Sequence, residues 1–391
     1  MSYLSSDEFA NVCYECDFDI PSIQAALTDL GVTGDIIKPN KLKQRIANLK
    51  RKGILPLDSG NVVDSSTVLK GTSTLYGSDG AIKQQWVKSD VPKEQFLEAY
   101  TDAIDAITSK VKPVNPCPPP VLLEDEQLTF YPLPDLHFGM LVHGDETNHG
   151  FNYDTSIAIS WVKAAMEHLV DVSPTSETCV IADLGDFLHS SDNGNRTMSG
   201  HVLDVDSRHS KIIEAAMDCM VALIDKALTK HNVVHVFSVK GNHSELTSIY
   251  LKSFLRAWYR NEPRVQIHIP DKSQQYFHFG KTILGFSHGH ELKPARAESV
   301  MVADNIDIFS NTNYRYFHFG HFHSNKSFEG PICNIEVHKN IIPRDMWAEG
   351  MGFRGNIGQA ESITYHAEFG EISRSKFNIQ MRADLVSAAK S

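Results

Sequence analysis

The chain has 391 residues, 41% hydrophobic and 22% charged, with a formal net charge of −11, which suits two or three globular domains with real cores. No run approaches the ~18 consecutive apolar residues of a membrane span, and Met1 to Ala10 carry no basic residue, so neither a membrane protein nor a signal peptide is expected. Six cysteines are too few for a disulfide scaffold; a reduced, cytoplasmic setting is expected, and any nucleic-acid binding has to come from a local patch.

Ile23, Leu27 and Leu30 recur at helical spacing and stop at Gly31, a helix with a glycine C-cap. A second helix is expected to begin after Pro39-Asn40, with Leu42, Ile46 and Leu49 as its stripe and Gly53 just past its end. Residues 38–52 hold seven basic side chains and no acidic one. Lys41, Lys43, Arg45, Lys50 and Arg51 are the candidates for contact with DNA. An alternating stretch around Leu75-Tyr76, the turn Gly77-Ser78-Asp79-Gly80 and the run Ile82 to Val87 read as a hairpin. Helix, turn, basic helix and hairpin is the order of a winged helix-turn-helix, whose basic helix enters a major groove. The competing reading is a helical domain with a solvated basic face that docks a protein partner. A third helix is expected over Lys93 to Lys110. Cys13-x-x-Cys16 has no second Cys/His pair nearby and reads as free thiols.

Residues 113–120 contain five prolines in eight positions, the composition of an extended linker. They separate residues 1–112 from a domain over 121–391. In that domain, strands over Leu128–Leu133, Thr178–Ala182, Val233–Val239, Thr282–Phe286 and Tyr314–Phe319 alternate with helices. The helices run about Thr155–Val170, Arg208–Thr229, Leu246–Tyr259 and Ala295–Asn305, and the pattern is an α/β fold. From about Gly330 the chain reads as strands and loops.

All 19 histidines lie at or after His137, and histidine is the commonest metal ligand. Five motifs each follow a strand: Asp135-Leu136-His137, Gly185-Asp186, Gly241-Asn242-His243, His288-Gly289-His290 and Gly320-His321-Phe322-His323. Ligands bind at the carboxyl ends of strands in such sheets, and residues two apart on extended chain point the same way. Asp, His and Asn without thiolate suit Mn²⁺, Fe or Zn²⁺. Asp186, after a glycine, is placed to bridge two ions. His290 is expected beside the site without being a ligand; His201 and His209 read as surface residues.

The order of these motifs resembles the calcineurin-like metallophosphoesterase family over roughly residues 127–325. The resemblance implies a β-sandwich flanked by helices and two divalent ions, most often Mn with Fe, Zn or Ni as alternatives. It implies one ion on Asp135, His137, Asp186 and His323, and the other on Asp186, Asn242, His288 and His321. A hydroxide between two cations attacks phosphorus in line, and His243 is placed to stabilise the transition state or protonate the leaving oxygen. Protein phosphatases of this family carry an arginine within a few residues of the Gly-Asp motif; here none occurs before Arg196. Gly185-Asp186-Phe187-Leu188-His189-Ser190-Ser191 instead resembles the DNA-repair exonuclease branch, in which the histidine three after the bridging aspartate is catalytic, so that role falls on His189. A helical N-terminal module on such a core also resembles uncharacterised phage-encoded phosphoesterases. The expected function is a nuclease acting on DNA. A phosphodiesterase for small or cyclic nucleotides is the first alternative, and a DNA-binding regulator with a non-catalytic metal domain the second. Homo-oligomerisation and a protein partner for residues 1–112 stay open.

Overall fold

Two strands that follow the proline-rich segment are apolar on both faces toward their C-terminal ends, as strands covered on both sides must be. On β3 (Glu124–Leu133), Leu128 and Phe130 enter one core while Tyr131 and Leu133 enter another; on β4 (Ser176–Asp183), Val180 and Ala182 oppose Cys179 and Ile181. This period-2 split sets up the layers. A computed structural model of the chain describes residues 5–51 apart from 17 and 33, strands 68–76 and 82–90, positions 118 and 120, and residues 123–390 apart from 198–199, 244, 269–271, 351 and 353–357. The chain forms two compact units, Met1–Pro92 and Lys93–Ser391.

The first unit contains α1 (Ser6–Glu15), α2 (Ile20–Asp29), α3 (Pro39–Arg51) and an antiparallel hairpin of β1 (Val68–Tyr76) and β2 (Ile82–Asp90). Helix α1 is not among the expected elements; its Phe9 and Cys13 pack with Ile23, Leu27, Leu42, Ile46 and Leu49 in one small core. Asp19 caps α2 by accepting from the Ser22 backbone N–H at 3.0 Å, a standard N-cap. Leu30 is not part of the buried stripe. It is the C-cap residue and 57% exposed, because the chain turns at Gly31 (φ 75°) before another helical turn can bury it. Pro39 opens α3, where its missing N–H costs nothing. Gly53, the turn over residues 77–80, the helix expected over Lys93–Lys110 and all of the proline-rich segment except Pro118 and Pro120 lie outside the described residues.

The second unit has two mixed sheets. One has six strands in the order β13-β12-β3-β4-β5-β6, with β3 to β6 parallel: β5 is Val233–Ser238, β6 Val265–Ile267, β12 Gln359–His366 and β13 Gly370–Asn378. The other has the order β10-β11-β9-β8-β7: β7 is Gln275–Phe279, β8 Thr282–Ser287, β9 Tyr314–Phe319, β10 Lys326–Glu329 and β11 Asn334–Val337. Leu128, Phe130, Val180, Phe237, Leu284, Phe286 and Tyr365 fill the space between the sheets. Helices α4 (Thr155–Val172), α5 (His209–Leu228) and α6 (Thr247–Trp258) cover the outer face of the six-stranded sheet, and α7 (Ala297–Asp304) packs on the other. The expected strands are all present: β3, β4 and β8 run one to four residues longer at an end and β5 stops one residue sooner, while the helix ends differ by up to two residues, the usual uncertainty of element ends. The stretch after Gly330 also holds short helices at Met346–Gly350 and Ala383–Ala388. His209 is buried rather than surface-lying, because it opens α5 on the side that faces the core. Among the described residues, no helix is long and apolar enough to cross a membrane.

Candidate metal centre

Strands β3, β4 and β5 of one sheet and β8 and β9 of the other lead into loops that converge. Their backbones are tied to one another: the Asp135 N–H donates to the Gly185 carbonyl (3.2 Å), and the His137 N–H to the Asp186 carbonyl (2.9 Å). The carboxylates close the net. Asp135 accepts from the His321 N–H at 2.9 and 3.0 Å, and Asp186 Oδ1 accepts from the His243 N–H at 2.8 Å. Motifs far apart in the chain thus position one another.

This net holds an expensive backbone. Asp135, His137, Asp186, His321 and His323 all have positive φ, between 44° and 65°. A non-glycine residue there costs on the order of 1–3 kcal/mol and persists where its surroundings over-determine it, often at functional sites. The motif glycines are needed for close approach. A Cβ on Gly241 would lie 2.0 Å from Asp186 Oδ1, and one on Gly185 2.6 Å from His288 Nδ1.

The side chains fall into two groups. Asp135, His137 and His323 bring one donor atom each within 4.8 Å of one another, and so do Asp186, His288 and His321. Asp186 stands between them, with Oδ2 3.1 Å from His288 Nε2 and 4.0 Å from His137 Nε2. Asn242 Oδ1 is 3.0 Å from His288 Nε2. All seven candidate ligands therefore come together. His290 lies alongside, its ring 5.2 Å from that of His288.

The electrostatics ask for a cation. Burial raises the Asp186 carboxyl, but His288, His137 and His243 outweigh it and hold it well below the ordinary range. Burial lowers His288, yet Asp186 and Asp135 pull it up to about 9. Burial keeps His137 neutral and, with His288, takes His321 down to about 4. His137 and His321 are thus neutral and ready to bind, while His288, raised by the carboxylates beside it, gives up its proton when a cation takes that place. The donor set and the space fit two divalent ions without thiolate ligands.

His189 and His243 lie against this centre and not apart from it. His189 is 4% exposed, and its Nδ1 is 3.2 Å from Nδ1 of His137. If His137 offers Nε2 to a metal, its Nδ1 keeps the proton and donates to His189, which fixes the ligand's tautomer and ring plane. Burial, then His243, takes His189 down to about 3. The His243 ring stacks on His189 at 5.3 Å, and its Nδ1 donates to the His189 carbonyl at 3.0 Å. That leaves His243 Nε2 as the ring atom that can accept or deliver a proton.

Sequence reasoning missed Asp183. Its buried carboxyl accepts from Ser238 Oγ (2.6 Å) and from the Gly185 N–H (3.0 Å), and so bridges the ends of β4 and β5. Burial pushes it up to about 7. An aspartate at the end of an apolar strand, three before Asp186, was the available signal.

The basic residues belong to the other unit. On α3, Lys41 and Lys43 are exposed. Arg45 lies 4.2 Å over the Phe9 ring, with Nη2 3.5 Å from the Ser5 carbonyl, and Lys50 sits 5.4 Å over Phe18. The backbone of Arg51 ends the helix.

No family model matches the chain, and no curated protein matches it significantly. Among solved structures it is similar to a predicted phosphoesterase from Streptococcus pneumoniae, at 11% identity over 64% of this chain and 98% of that one, with a TM-score of 0.25. It is also similar to Vacuolar Protein Sorting 29 from Cryptosporidium parvum, at 10% identity over 65% and 100% of the two chains, with a TM-score of 0.30. A third is the zinc complex of the protein of that name from Entamoeba histolytica, at 10% identity over 64% and 98%, with a TM-score of 0.27.

Proposed function

We propose that the second unit is a dimetal phosphodiesterase of the calcineurin-like type and that its substrate is DNA. One observation carries this: seven ligand-type side chains from five strand ends gather into two groups around Asp186. Asp135, His137, Asp186 and His323 would hold one ion, and Asp186, Asn242, His288 and His321 the other. When bound, Mn²⁺ or a similar ion would activate water and neutralise charge on the phosphoryl oxygens.

The chain's own residues supply the rest. Asp186 sets the spacing of the two groups, and His189 holds His137 in one tautomer. His243 Nε2 is the candidate to protonate the leaving oxygen. The run from Asp186 to Ser191 has a histidine where a clamp for a phosphomonoester dianion would need a cation, which favours the singly charged diester. Exposed Lys41 and Lys43 support DNA over a small nucleotide, because phosphate contacts need cations outside the catalytic pocket.

The test is hydrolysis of labelled single- and double-stranded DNA, bis-p-nitrophenyl phosphate, cyclic nucleotides and a phosphopeptide with Mn²⁺, with and without EDTA. EDTA-sensitive cleavage of DNA is expected. Turnover of the small diesters with DNA left intact would replace the nuclease reading, and binding of metal and DNA without turnover of any substrate would remove the enzyme.

A further inference from the structure

Away from the strand ends, a second cluster of metal-ligating side chains lies sealed between the two sheets. His318 on β9 points into the inter-sheet core, its ring 4.6 Å from Phe130 and 6.1 Å from Phe286. Glu336 on β11 and His338 just after it reach the same place. The three are 0%, 5% and 1% exposed. One donor atom of each lies within 4.8 Å of the others, and His318 Nδ1 is 2.9 Å from His338 Nε2. Pairs of candidate ligands at the strand ends stand 3.0 to 4.0 Å apart, so the spacing here is of the same kind.

We propose that His318, His338 and Glu336 form a structural site for a zinc-class divalent cation, separate from the strand-end centre.

Each donor is held from behind. His338 Nδ1 is 2.7 Å from Glu361 Oε1, Tyr365 Oη is 3.3 Å from His318 Nε2, and Glu336 meets Arg374 at 2.7 Å. A carboxylate can only accept, so His338 Nδ1 carries a proton toward Glu361, and in the neutral ring Nε2 presents a lone pair toward His318. Carboxylate behind imidazole is the arrangement that orients histidine toward a metal. Burial keeps His318 neutral.

Charge also favours a cation. Buried Glu336 and Glu361 share the guanidinium of Arg374, which partly exposed Glu371 also pairs with, and Lys376, which also acts on Glu361, is exposed to solvent. With both rings neutral, one buried carboxylate charge is left without a partner in the interior, where uncompensated charge is costly. A divalent cation answers it, as a proton on His338 would, and a metal count separates the two. Two imidazoles and one carboxylate are a zinc-type donor set. The outer partners come from β12 and β13, so the ion would staple one sheet to the other, three residues before His321.

The full chain, stripped with chelator and re-equilibrated with Zn²⁺, is assayed for bound metal by mass spectrometry. His318→Gln and Glu336→Gln should each bind one ion fewer than wild type, with folding checked by circular dichroism. The double variant Asp135→Asn/Asp186→Asn, which lacks the carboxylates of the strand-end centre, should keep one ion, and adding Glu336→Gln should remove it. Equal metal in wild type and a folded His318→Gln would leave a hydrogen-bonded histidine pair only and overturn the proposal. If the histidine variants do not fold, the double variant decides alone: one ion retained and then lost with Glu336→Gln supports the site, and none retained overturns it.

Discussion

The strand-end centre and helix α3 both concentrate residues with an obvious chemical use, yet the two are built differently. At the strand ends, ligands from five separate motifs meet, and those of three of them sit in left-handed backbone conformations tied together by amide-to-carboxylate hydrogen bonds. On α3 the useful residues share one helix, and nothing fixes their common purpose. Arg45 and Lys50 lie over aromatic rings of their own unit, while Lys41 and Lys43 face solvent. A constellation assembled from distant segments, at a cost in backbone strain, argues for function more strongly than a charge run on one helix, which a solvated face also produces.

The sharpest way to break this contrast is to remove the residue on which both ligand groups depend. Asp186→Asn should abolish binding of both ions and lower phosphodiesterase activity well beyond the roughly 10–100-fold that outer partners of a metal ligand typically cost. Gly241→Ala should approach the same loss, because its Cβ would lie 2.0 Å from Asp186 Oδ1. Metal stoichiometry and diester turnover check both. Full metal content in Gly241→Ala would mean that the net of backbone contacts is looser than its geometry indicates.

His189→Ala is the next step down. Its Nδ1 faces His137, so metal affinity should fall about 10–100-fold. A histidine that acts only on the substrate would lower kcat and leave affinity alone. Calorimetric titration with Mn²⁺ beside single-turnover kinetics separates the two roles.

How much of this was legible follows from the same contrast. Asp135-x-His137 and Gly320-His321-x-His323 could be read because strand ends in an α/β sheet converge whatever the loops do. His318 and His338 could not be paired, because β9 and β11 come together through sheet register that no local pattern encodes. Helix α1 was missed for a related reason: Phe9 and Cys13 are buried only because α2 and α3 exist to cover them. Leu30 shows the reverse error, a periodicity that ran one residue past the point where the chain turned.

Buried and exposed charges should also answer differently to solution conditions. Burial alone would raise Glu361, but His338 and Arg374 take it down to about 2 from 4.5. A lowered carboxyl stabilises the fold fully above its unfolded value, and that contribution is lost as pH falls from 4.5 toward 2. In EDTA, Glu361→Gln should therefore be less stable than wild type at neutral pH, by roughly 1–3 kcal/mol. The gap should close in acid and change little with salt. Urea titrations at several pH values test this, and a gap that stays constant down to pH 2 would show that Glu361 is held for its shape and not its charge.

Lys41 and Lys43 give the smallest and most salt-dependent effect. Each phosphate contact adds about 0.9 to the slope of log K against log salt. Lys41→Ala/Lys43→Ala should therefore weaken duplex binding at low salt and flatten that slope by about two, with diester turnover on bis-p-nitrophenyl phosphate unchanged. Arg45→Ala should act chiefly on folding of the first unit, since losing the contact with Phe9 costs on the order of 0.5–1 kcal/mol. Equal slopes for the lysine variant and wild type would take α3 out of DNA binding and leave its basic face as the solvated side of a small helical core. A slope that falls only in Arg45→Ala would mean that the residue packed on Phe9 reaches the phosphate backbone, and that packing does not take a cation on α3 out of DNA binding.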